Sequence, residues 1–406
     1  MLEFANKITK LCLDKYKSLK KTGKPTANEW TVLSGIVLEN SLNELSVISL
    51  CTGTKCLSGK ELMNTKYNEI GIRLSDSHAE ILARRAFQRY LYNEINFLLN
   101  KQESDIFILT NERRINLKND ISFHFFSSQT PCGDCSIISK INTSNDVDSN
   151  RPFKKMKLIN NKECDGNLDD DKIKFENDIH RTGAKCIGND ERQDLHLSGE
   201  NYHVVGPLRT KPGRGDRTLS LSCSDKMAKW NVVGIQGSLL SILIPEIKFK
   251  SIIIGGNCPF SLEAMERGLF KRFNDKLIGP KIIQSSFAFD EKKGETRKNP
   301  CPSSIVWCSV LERNLEIAVN GRKQGVTKKK SGIYLLVSRR GMLKCFLEIY
   351  DKYSKDILHL PQHPKKITYL HCKEWSRIYR NLWHQAKINI FSKWPSKPLT
   401  LQNFIL

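Results

Sequence analysis

The chain has 406 residues, of which 65 are Lys or Arg and 43 are Asp or Glu, so its formal net charge is +22 at pH 7. Apolar residues make up 39% and aromatic residues 8%, which is enough for a folded core and excludes a wholly disordered or collagen-like chain. No stretch approaches the roughly 18 apolar residues of a membrane-spanning helix, and charges interrupt the N-terminal segment where a secretory signal would be apolar. We therefore expect a soluble, intracellular protein without a membrane partner; nucleus and cytoplasm both remain open.

The cysteine count and the charge narrow the function classes. The sequence contains 13 cysteines, an odd number, and no export signal is recognisable. An odd number of cysteines without an export signal argues against a disulfide framework. The remaining roles for the cysteines are metal binding, catalysis or inert burial. The strong positive charge predicts a polyanionic partner, which is either a nucleic acid or a phosphorylated small molecule.

Helices and strands alternate in the first part of the chain. Apolar residues recur at helical spacing over residues 4–19, and a second helix is predicted over 79–99, behind the candidate N-caps at 75–77. Short apolar runs predict strands at residues 31–38, 46–52, 106–110 and 121–127.

Residues 142–201 differ in composition from the rest of the chain. Asn, Asp, Lys and Glu dominate this segment, which has few large apolar residues and contains three consecutive aspartates at 169–171. A segment of this kind buries too little apolar surface to offset the entropy cost of folding. We therefore expect a polar, poorly ordered insertion, with a folded subdomain as the alternative.

The alternation of strands and helices resumes after the insertion. The expected elements are strands at residues 219–222 and 251–255, helices at 225–233 and 262–273, and a helical tail over 367–393 that is rich in Lys, Arg, Trp and Tyr. This order predicts a three-layer α/β fold. We interpret residues 1–406 as one domain that is interrupted by residues 142–201.

Two short motifs carry a specific chemical signal. The sequence HAE at 78–80 is followed by PCGDC at 131–135, with 54 positions between His78 and Cys132. An H-x-E motif followed by P-C-x-x-C is the signature of zinc deaminases. A lone His or a lone C-x-x-C would more often be a helix cap or a pair of core thiols, but both motifs in this order favour a metal centre. The sequence has no H-E-x-x-H motif of a zincin and no second C-x-x-C at zinc-ribbon spacing.

These residue types suit hydrolytic deamination. A neutral imidazole and two thiolates hold Zn²⁺ with a fourth position open for water, whose pKa falls towards about 7. Glu80 lies two residues from the ligand His78, so it can take the proton of this water and pass it to the ring nitrogen and the leaving ammonia. We also expect both motifs to begin helices, because a helix N-terminus favours the thiolate form of Cys132.

Four blocks of the sequence resemble the RNA-editing adenosine deaminases. They are HAEILARR at 78–85, PCGDC at 131–135, LRTKPGRGDRT at 208–218 and LSCSDKMAKWNVVGIQGSLLS at 221–241. The resemblance covers most of the chain outside residues 142–201, weakens towards both ends, and is greatest to the branch of the family that acts on tRNA.

The resemblance implies both a fold and a reaction. The fold is a cytidine-deaminase-like core, in which helices flank a mixed β-sheet, extended by a helical and basic C-terminal region. The reaction is the zinc-dependent conversion of adenosine to inosine, at adenosine 37 beside the anticodon of alanine tRNA. The two short motifs alone also allow a deaminase that acts on structured messenger RNA, on double-stranded RNA or on cytidine. A non-catalytic subunit that binds zinc and RNA is the remaining alternative, against which the presence of Glu80 argues.

The third zinc ligand depends on the resemblance. In ordinary cytidine deaminases both cysteines of P-C-x-x-C bind zinc, and the second of them is Cys135 here. In the editing family the third ligand is similar to the Cys of the sequence CSDK, which is Cys223. The resemblance thus implies the ligands His78, Cys132 and Cys223, with Cys135 as a neighbouring free thiol.

The resemblance also implies a second cofactor, inositol hexakisphosphate, buried beneath the active site. A heavily phosphorylated ring would neutralise cations that are otherwise costly to bury. In this setting Lys211 is the implied link between the ligand and the zinc site. Positions that match the family's basic and aromatic residues are Arg84, Arg85, Lys226, Lys229, Trp230 and Ser238, and, in the more weakly matched tail, Lys328, Arg377, Trp383, Lys387, Trp394 and Lys397.

The substrate must present an unstacked base, because the reacting carbon of adenine is not accessible inside a helix. Gly213, Arg214 and Gly215 lie in the block where the family has its base-flipping loop; the glycines allow close approach of the backbone, and the Arg can contact phosphate. A plain hairpin turn is the alternative. No stretch of the sequence resembles a separate double-stranded-RNA-binding domain, which favours tRNA as the partner, and no obligate protein partner is evident.

Overall fold

The computed structural model describes residues 1–140, 178–188, 192–212, 217–273, 277–326, 332–353 and 366–406. The α-helices are α1 (Leu2–Ser18), α2 (Gly59–Met63), α3 (Ala79–Leu99), α4 (Cys223–Val233), α5 (Leu262–Glu266), α6 (Arg339–Tyr353), α7 (Tyr369–Glu374) and α8 (Arg377–Asn389). The strands are β1 (Glu29–Trp30), β2 (Leu33–Glu39), β3 (Leu45–Thr52), β4 (Thr54–Cys56), β5 (Asp76–His78), β6 (Phe107–Leu109), β7 (Ile115–Leu117), β8 (Ser122–Ser127), β9 (Ile138–Ser139), β10 (Ile179–His180), β11 (Lys185–Cys186), β12 (Arg209–Pro212), β13 (Arg217–Leu221), β14 (Ser251–Ile254), β15 (Lys281–Gln284), β16 (Asn299–Pro300), β17 (Ser303–Cys308), β18 (Leu315–Val319) and β19 (Arg322–Lys323). None of the helices within these ranges is both long enough and apolar enough to cross a bilayer.

An eight-stranded sheet forms the centre of the fold, with the strand order β15-β14-β8-β2-β3-β17-β18-β19. The strands β8, β14 and β15 run parallel to one another, whereas the remaining neighbours pair antiparallel, so the sheet is mixed. Every residue of β2 is buried, as expected for a continuous apolar run in the middle of a covered sheet.

Helices cover both faces of this sheet, because successive residues of a strand point to opposite sides. Phe125 on β8 packs with Phe87 of α3 in the larger hydrophobic core. The next residue, Phe126, packs instead with Ile8 and Cys12 of α1 in a second core on the other face. The three-layer α/β arrangement predicted from the order of the elements is therefore confirmed.

Two predicted helices differ from the observed ones. The helix predicted over 262–273 ends as an α-helix at Glu266 and continues as a π-helical turn over Arg267–Lys271. The wider turn lies where Gly268 packs on Cys135, since a Cβ at Gly268 would come within 2.4 Å of the Cys135 sulfur. The tail predicted as one helix over 367–393 is divided into α7 and α8 at Ser376, whose hydroxyl donates to the carbonyl of Lys373.

The polar segment 142–201 is described only at residues 178–188 and 192–201, and the expectation of poor order for the rest of it lies outside the described residues. In the described part, β10 pairs with β9 and β11 pairs with β12. These short strands differ from the sequence expectation because Ile179, Ala184 and Cys186 are buried against the domain. The folded domain thus resumes earlier than composition predicts.

Candidate active site

Three side chains from distant parts of the chain converge at one end of the sheet. The Nδ1 atom of His78 lies 3.5 Å from Sγ of Cys223 and 4.0 Å from Sγ of Cys132. All three ligand atoms lie within 4.8 Å of one another. A tetrahedral Zn²⁺ with ordinary bond lengths would require nitrogen–sulfur separations of about 3.6 Å. The cluster therefore has the composition and the size of a zinc site with three protein ligands.

Local structure explains why these residues meet. His78 ends β5 and is the N-cap of α3, and Cys223 is the first residue of α4. Cys132 lies in the loop after β8, held by hydrogen bonds from the amide and the hydroxyl of Ser224 to its carbonyl oxygen, both 3.1 Å long. Gly133 follows with φ of +105°, and a Cβ there would lie 2.3 Å from the hydroxyl of Ser222. Only glycine fits this turn.

Cys135 does not belong to the cluster. Its side chain is fully buried, and its sulfur lies 3.8 Å from the carbonyl oxygen of Met265. Burial raises the pKa of the Cys135 thiol, which keeps it protonated. The structure thus brings together His78, Cys132 and Cys223, and leaves Cys135 in the core beside them.

The expectation that Cys132 begins a helix is wrong. The residues after it form only a short 3₁₀ turn over Asp134–Ser136. The helix N-terminus near the Cys132 sulfur is that of α4, because the amide of Cys223 donates to this sulfur over 3.3 Å. A hydrogen bond from the Cys223 thiol, ahead of the charge of Lys211, holds the pKa of Cys132 well below its usual range. Burial, followed by the Cys132 thiolate, raises the pKa of Cys223.

Glu80 lies in the first turn of α3, two residues after His78, and its side chain is 4% exposed. Its Oε2 atom is buried without a hydrogen-bond partner among the described residues. After burial and the Cys132 thiolate, the charge of Glu80 also contributes to the raised pKa of Cys223. A buried carboxylate oxygen without a partner is costly, so the site has a place for a polar ligand there.

A chain of charges leads away from the cluster. The Nζ atom of Lys211 lies 3.1 Å from the Cys223 sulfur and 2.8 Å from Oδ2 of Asp76, which also accepts a short hydrogen bond from Lys226. Burial raises the pKa of Asp76, but the charges of Lys211 and Lys226 outweigh it and hold that pKa well below its usual range. Lys211 thus connects the sulfur cluster to the carboxylate of Asp76.

Comparison with known proteins gives the family. A model of the adenosine-deaminase (editase) domain matches residues 49–398. The chain belongs to this editase family. It is 37% identical to tRNA-specific adenosine deaminase 1 of Drosophila melanogaster, over 98% of this chain and 96% of the relative, and 31% identical to the protein of the same name from Homo sapiens, over 98% and 99%. It is also 33% identical to the double-stranded RNA-specific editase Adar of Drosophila melanogaster, over 62% of this chain but 33% of the relative.

Beneath the cysteines, the editase-family chain forms two adjoining cavities of about 480 and 530 Å³. Within the described part of the chain, their lining includes ten Lys and Arg side chains and two carboxylates, Asp76 and Glu374. Aromatic rings stabilise part of this positive charge through cation–π contacts, since Nζ of Lys229 lies 3.5 Å from the centre of the Trp383 ring. We call this space the basic cavity.

Several cations of the basic cavity are buried beside other cations. Burial, followed by the charges of Lys373 and Arg84, lowers the pKa of Lys229 well below its usual range. Burial likewise lowers the pKa of Arg85 to about 10, and it lowers the pKa of Lys397 together with neighbouring Arg339 and Lys226. Shifts in this direction show that these cations are costly to bury without an anion, and a polyanion in the cavity would lower that cost.

The residues that the resemblance implies for the second cofactor can be compared with this cavity. Arg377, the exposed first residue of α8, is not among the lining residues. Lys328 lies outside the described residues, as do Gly213, Arg214 and Gly215, which connect the paired strands β12 and β13. The predicted residues that do line the cavity are Arg84, Arg85, Lys226, Lys229, Trp230, Ser238, Trp383, Lys387, Trp394 and Lys397.

Several lining residues were missed, among them Arg339, Tyr369, Lys373, Tyr379 and Arg380. A spacing of four residues could have found some of them. Tyr369 and Lys373 share one face of α7, and Tyr379 shares a face of α8 with Trp383 and Lys387, which follow it at four-residue intervals.

Proposed function

We propose that this protein is a zinc-dependent hydrolase that converts adenosine to inosine in tRNA, at adenosine 37 of alanine tRNA. The observation that carries the proposal is the cluster of His78, Cys132 and Cys223 together with the buried Oε2 of Glu80, which has no hydrogen-bond partner in the described ranges. One imidazole and two sulfurs are ligands that Zn²⁺ prefers, and three protein ligands leave the fourth position for the reaction. Membership of the adenosine-deaminase family supports the reaction type.

The chain's own residues have separate tasks in this reaction. Zn²⁺ held by the cluster would supply the Lewis acidity that makes water nucleophilic at neutral pH. Glu80 accepts a proton of the water as its oxygen bonds to C6 of adenine, and delivers this proton to N1. When the C6–N bond breaks, Glu80 passes the remaining hydroxyl proton to the amino group, which leaves as ammonia, and the C6–O group becomes the carbonyl of inosine. The burial of Glu80 keeps bulk water from its carboxylate, and Lys211 keeps a positive charge at the Cys223 sulfur.

The relatives support tRNA as the substrate class. The relatives named tRNA-specific adenosine deaminase 1 match 98% of this chain and at least 96% of their own length. Relatives named for double-stranded RNA match only about a third of their own length. This holds for the editases from Drosophila melanogaster and Mus musculus, which match 62% of the chain, and for the double-stranded RNA-specific adenosine deaminase of Mus musculus, which matches 99% of it. The preference for alanine tRNA and for adenosine 37 rests on resemblance alone.

We further propose that the basic cavity binds inositol hexakisphosphate. Ten cations against two carboxylates in a cavity of this size suit a ligand with several phosphates, and the aromatic rings of Trp383 and Trp394 pack on Lys229. Through Lys226 and Asp76, such a ligand would hold Lys211 beside the Cys223 sulfur.

The deciding experiment maps inosine in defined RNAs after incubation with the purified, zinc-loaded protein. Parallel reactions use transcribed alanine tRNA, a set of other tRNAs and an RNA duplex, each with wild-type protein and with Glu80→Ala. Inosine at one adenosine beside the anticodon of alanine tRNA, absent with Glu80→Ala, is the expected result. Inosine in the duplex but in no tRNA would contradict the proposed substrate, and unchanged activity of Glu80→Ala would remove Glu80 from its role.

A further inference from the structure

A buried aspartate stands two residues after each cysteine of the cluster. Asp134 follows Cys132 and Asp225 follows Cys223, and both aspartates are 0% exposed. The catalytic steps described above use neither carboxylate. A carboxylate without water around it needs charged or hydrogen-bonding partners. The partners of Asp134 and Asp225 therefore show which parts of the protein these two side chains hold in place.

A single guanidinium contacts both carboxylates. Arg272, just after the π-helical turn, forms a short ion pair with Oδ1 of Asp225, and its Nη1 lies 3.9 Å from Oδ1 of Asp134. The same Nη1 donates to the carbonyl oxygens of Gly206 at 3.0 Å and Pro207 at 3.2 Å. Only 4% of the Arg272 side chain is exposed, so these contacts lie inside the protein.

The carboxylates also bind the backbone near them. Asp225 accepts hydrogen bonds from the hydroxyl of Ser222 at 2.6 Å and from the amide of Arg209 at 2.9 Å, and the Ser222 oxygen accepts from the amide of Asp225. Asp134 accepts from the amide of Gly206 at 2.6 Å, and its own amide donates to the hydroxyl of Ser224 at 3.0 Å. Each aspartate therefore joins the segment that carries its cysteine to the backbone of the stretch that contains Gly206 and Arg209.

Arg267 offers a natural comparison with Arg272. Its Nε donates to Oδ2 of Asp134 at 2.8 Å, and its Nη2 donates to the carbonyl oxygens of Asp134 and Ile137 at 3.0 and 2.9 Å. These three acceptors all lie on the segment that follows Cys132. Arg272, in contrast, joins that segment to the helix that begins with Cys223.

We propose that Arg272 is a positioning residue for the metal centre, which holds the sulfurs of Cys132 and Cys223 at metal-binding separation by joining Asp134 to Asp225. The proposal rests on the zinc site of the proposed function. A planar guanidinium with several donors can contact two carboxylates at once, whereas the ammonium of a lysine is a single point charge. Because partners in the outer shell of a metal site change metal affinity by about 10- to 100-fold, we expect an effect of this size.

The test measures how fast zinc leaves the folded protein for a chromogenic chelator, without substrate. R272M should lose zinc about 10- to 100-fold faster than wild type. R272K should fall between them, because it keeps the positive charge but not the planar guanidinium with its several donors. R267M should have a smaller effect than R272M, because it leaves the link between the two segments intact. Cobalt-substituted R272M should also show an altered thiolate-to-metal charge-transfer band, which reports the ligand geometry directly.

A general loss of stability is controlled with Ile8→Ala, a core change on the opposite face of the sheet. If this variant, with a comparable loss in free energy of unfolding, releases zinc as fast as R272M, the positioning role is wrong. Wild-type release rates in folded R272M would overturn it as well. If R272M does not fold, R272K decides between the same two outcomes. A wild-type protein that binds no zinc would overturn the proposed function and this role together, whereas a zinc-loaded wild type with unaffected variants overturns only the role of Arg272.

Discussion

The backbone amide of Cys223 donates a hydrogen bond to the sulfur of Cys132 over 3.3 Å. The first residue of α4 thus takes part in the metal cluster twice, through its own sulfur and through its amide at the positive end of a helix, which stabilises the neighbouring thiolate. The two residues are 91 positions apart, so each cysteine depends on the folded position of the other.

Removal of Cys223 should therefore abolish the metal site. We expect Cys223→Ala to bind no stoichiometric zinc and to give a poor yield of folded protein, because the Cys132 sulfur loses both a partner ligand and the cation between them. Zinc content after purification, measured by elemental analysis, tests this directly.

Cys135→Ala provides the matched control for that experiment. Its sulfur lies in the core against Met265, so its removal should leave zinc content unchanged and lower the free energy of unfolding by only about 1 kcal/mol. If Cys135→Ala lost zinc while Cys223→Ala kept it, both cysteines of the P-C-x-x-C motif would be ligands and the present cluster would be wrong.

Glu80→Gln should separate chemistry from metal binding. The substitution keeps the shape of a side chain that is 4% exposed but removes its capacity to accept and release a proton. We expect the rate of inosine formation in a single turnover to fall by at least about 10²-fold, the lower end for a lost general acid–base. Zinc content and tRNA affinity should match wild type, and a variant that loses zinc along with activity would show that Glu80 acts through the fold.

The extent to which sequence reasoning succeeds depends on how local the signal is. The helix α3 has the predicted bounds because its apolar periodicity and its start at His78 lie within one segment. In contrast, the change to a π-helical turn within the helix predicted over 262–273 lies at Gly268, whose close approach to Cys135 joins parts of the chain more than 100 residues apart. Composition also missed β10 and β11, since the burial of Ile179 and Cys186 is decided by strands elsewhere.

The same distinction applies to the candidate site. The motif around His78 and Glu80 identifies its residues without a structure, because their roles follow from a spacing of two. A motif does not decide between Cys135 and Cys223 as the third ligand, since the tertiary fold could place either of them beside Cys132. Arg272 was missed for a similar reason: nothing in its neighbourhood in the sequence marks it, and its two aspartates lie 138 and 47 positions away.

The basic cavity leads to a prediction about inositol hexakisphosphate. Protein purified from cells should contain the ligand, and K373E should lose it, because Lys373 lines the cavity and the new carboxylate would repel phosphate. A ligand present at a thousandfold excess over its dissociation constant stabilises a protein by about 4 kcal/mol, so K373E should also have a clearly lower melting temperature.

R377E carries the same change of charge on the exposed side of α8 and is the control. It should retain both the ligand and the melting temperature of wild type. Phosphate analysis of the denatured proteins gives the ligand content. Loss of the ligand from R377E but not from K373E would restore the residue that the sequence favours and would contradict the observed cavity lining.

Acid stability should depend on Asp194, which joins the last part of the segment 142–201 to Arg209 of β12. Its carboxylate accepts two hydrogen bonds from the fully buried Arg209, at 2.5 and 2.7 Å. Burial raises the pKa of Asp194, but the bonds and charge of Arg209 outweigh it and lower that pKa to about 2. Because this is below the pKa of about 3.9 in an unfolded chain, the pair stabilises the protein fully above about pH 5 and progressively less as the pH falls towards 2.

Asp194→Asn should therefore cost about 1–2 kcal/mol in free energy of unfolding at pH 6, and this difference from wild type should shrink as the pH is lowered to 3 and below. Urea unfolding of both proteins at each pH measures the difference, and acid effects common to both, such as zinc release, cancel in it. Asp14→Asn, at an exposed position of α1, should differ little from wild type at either pH. A difference between Asp194→Asn and wild type that stayed constant down to pH 2 would mean that the Asp194 carboxylate is not charged in the folded protein, and that Arg209 is held by other contacts.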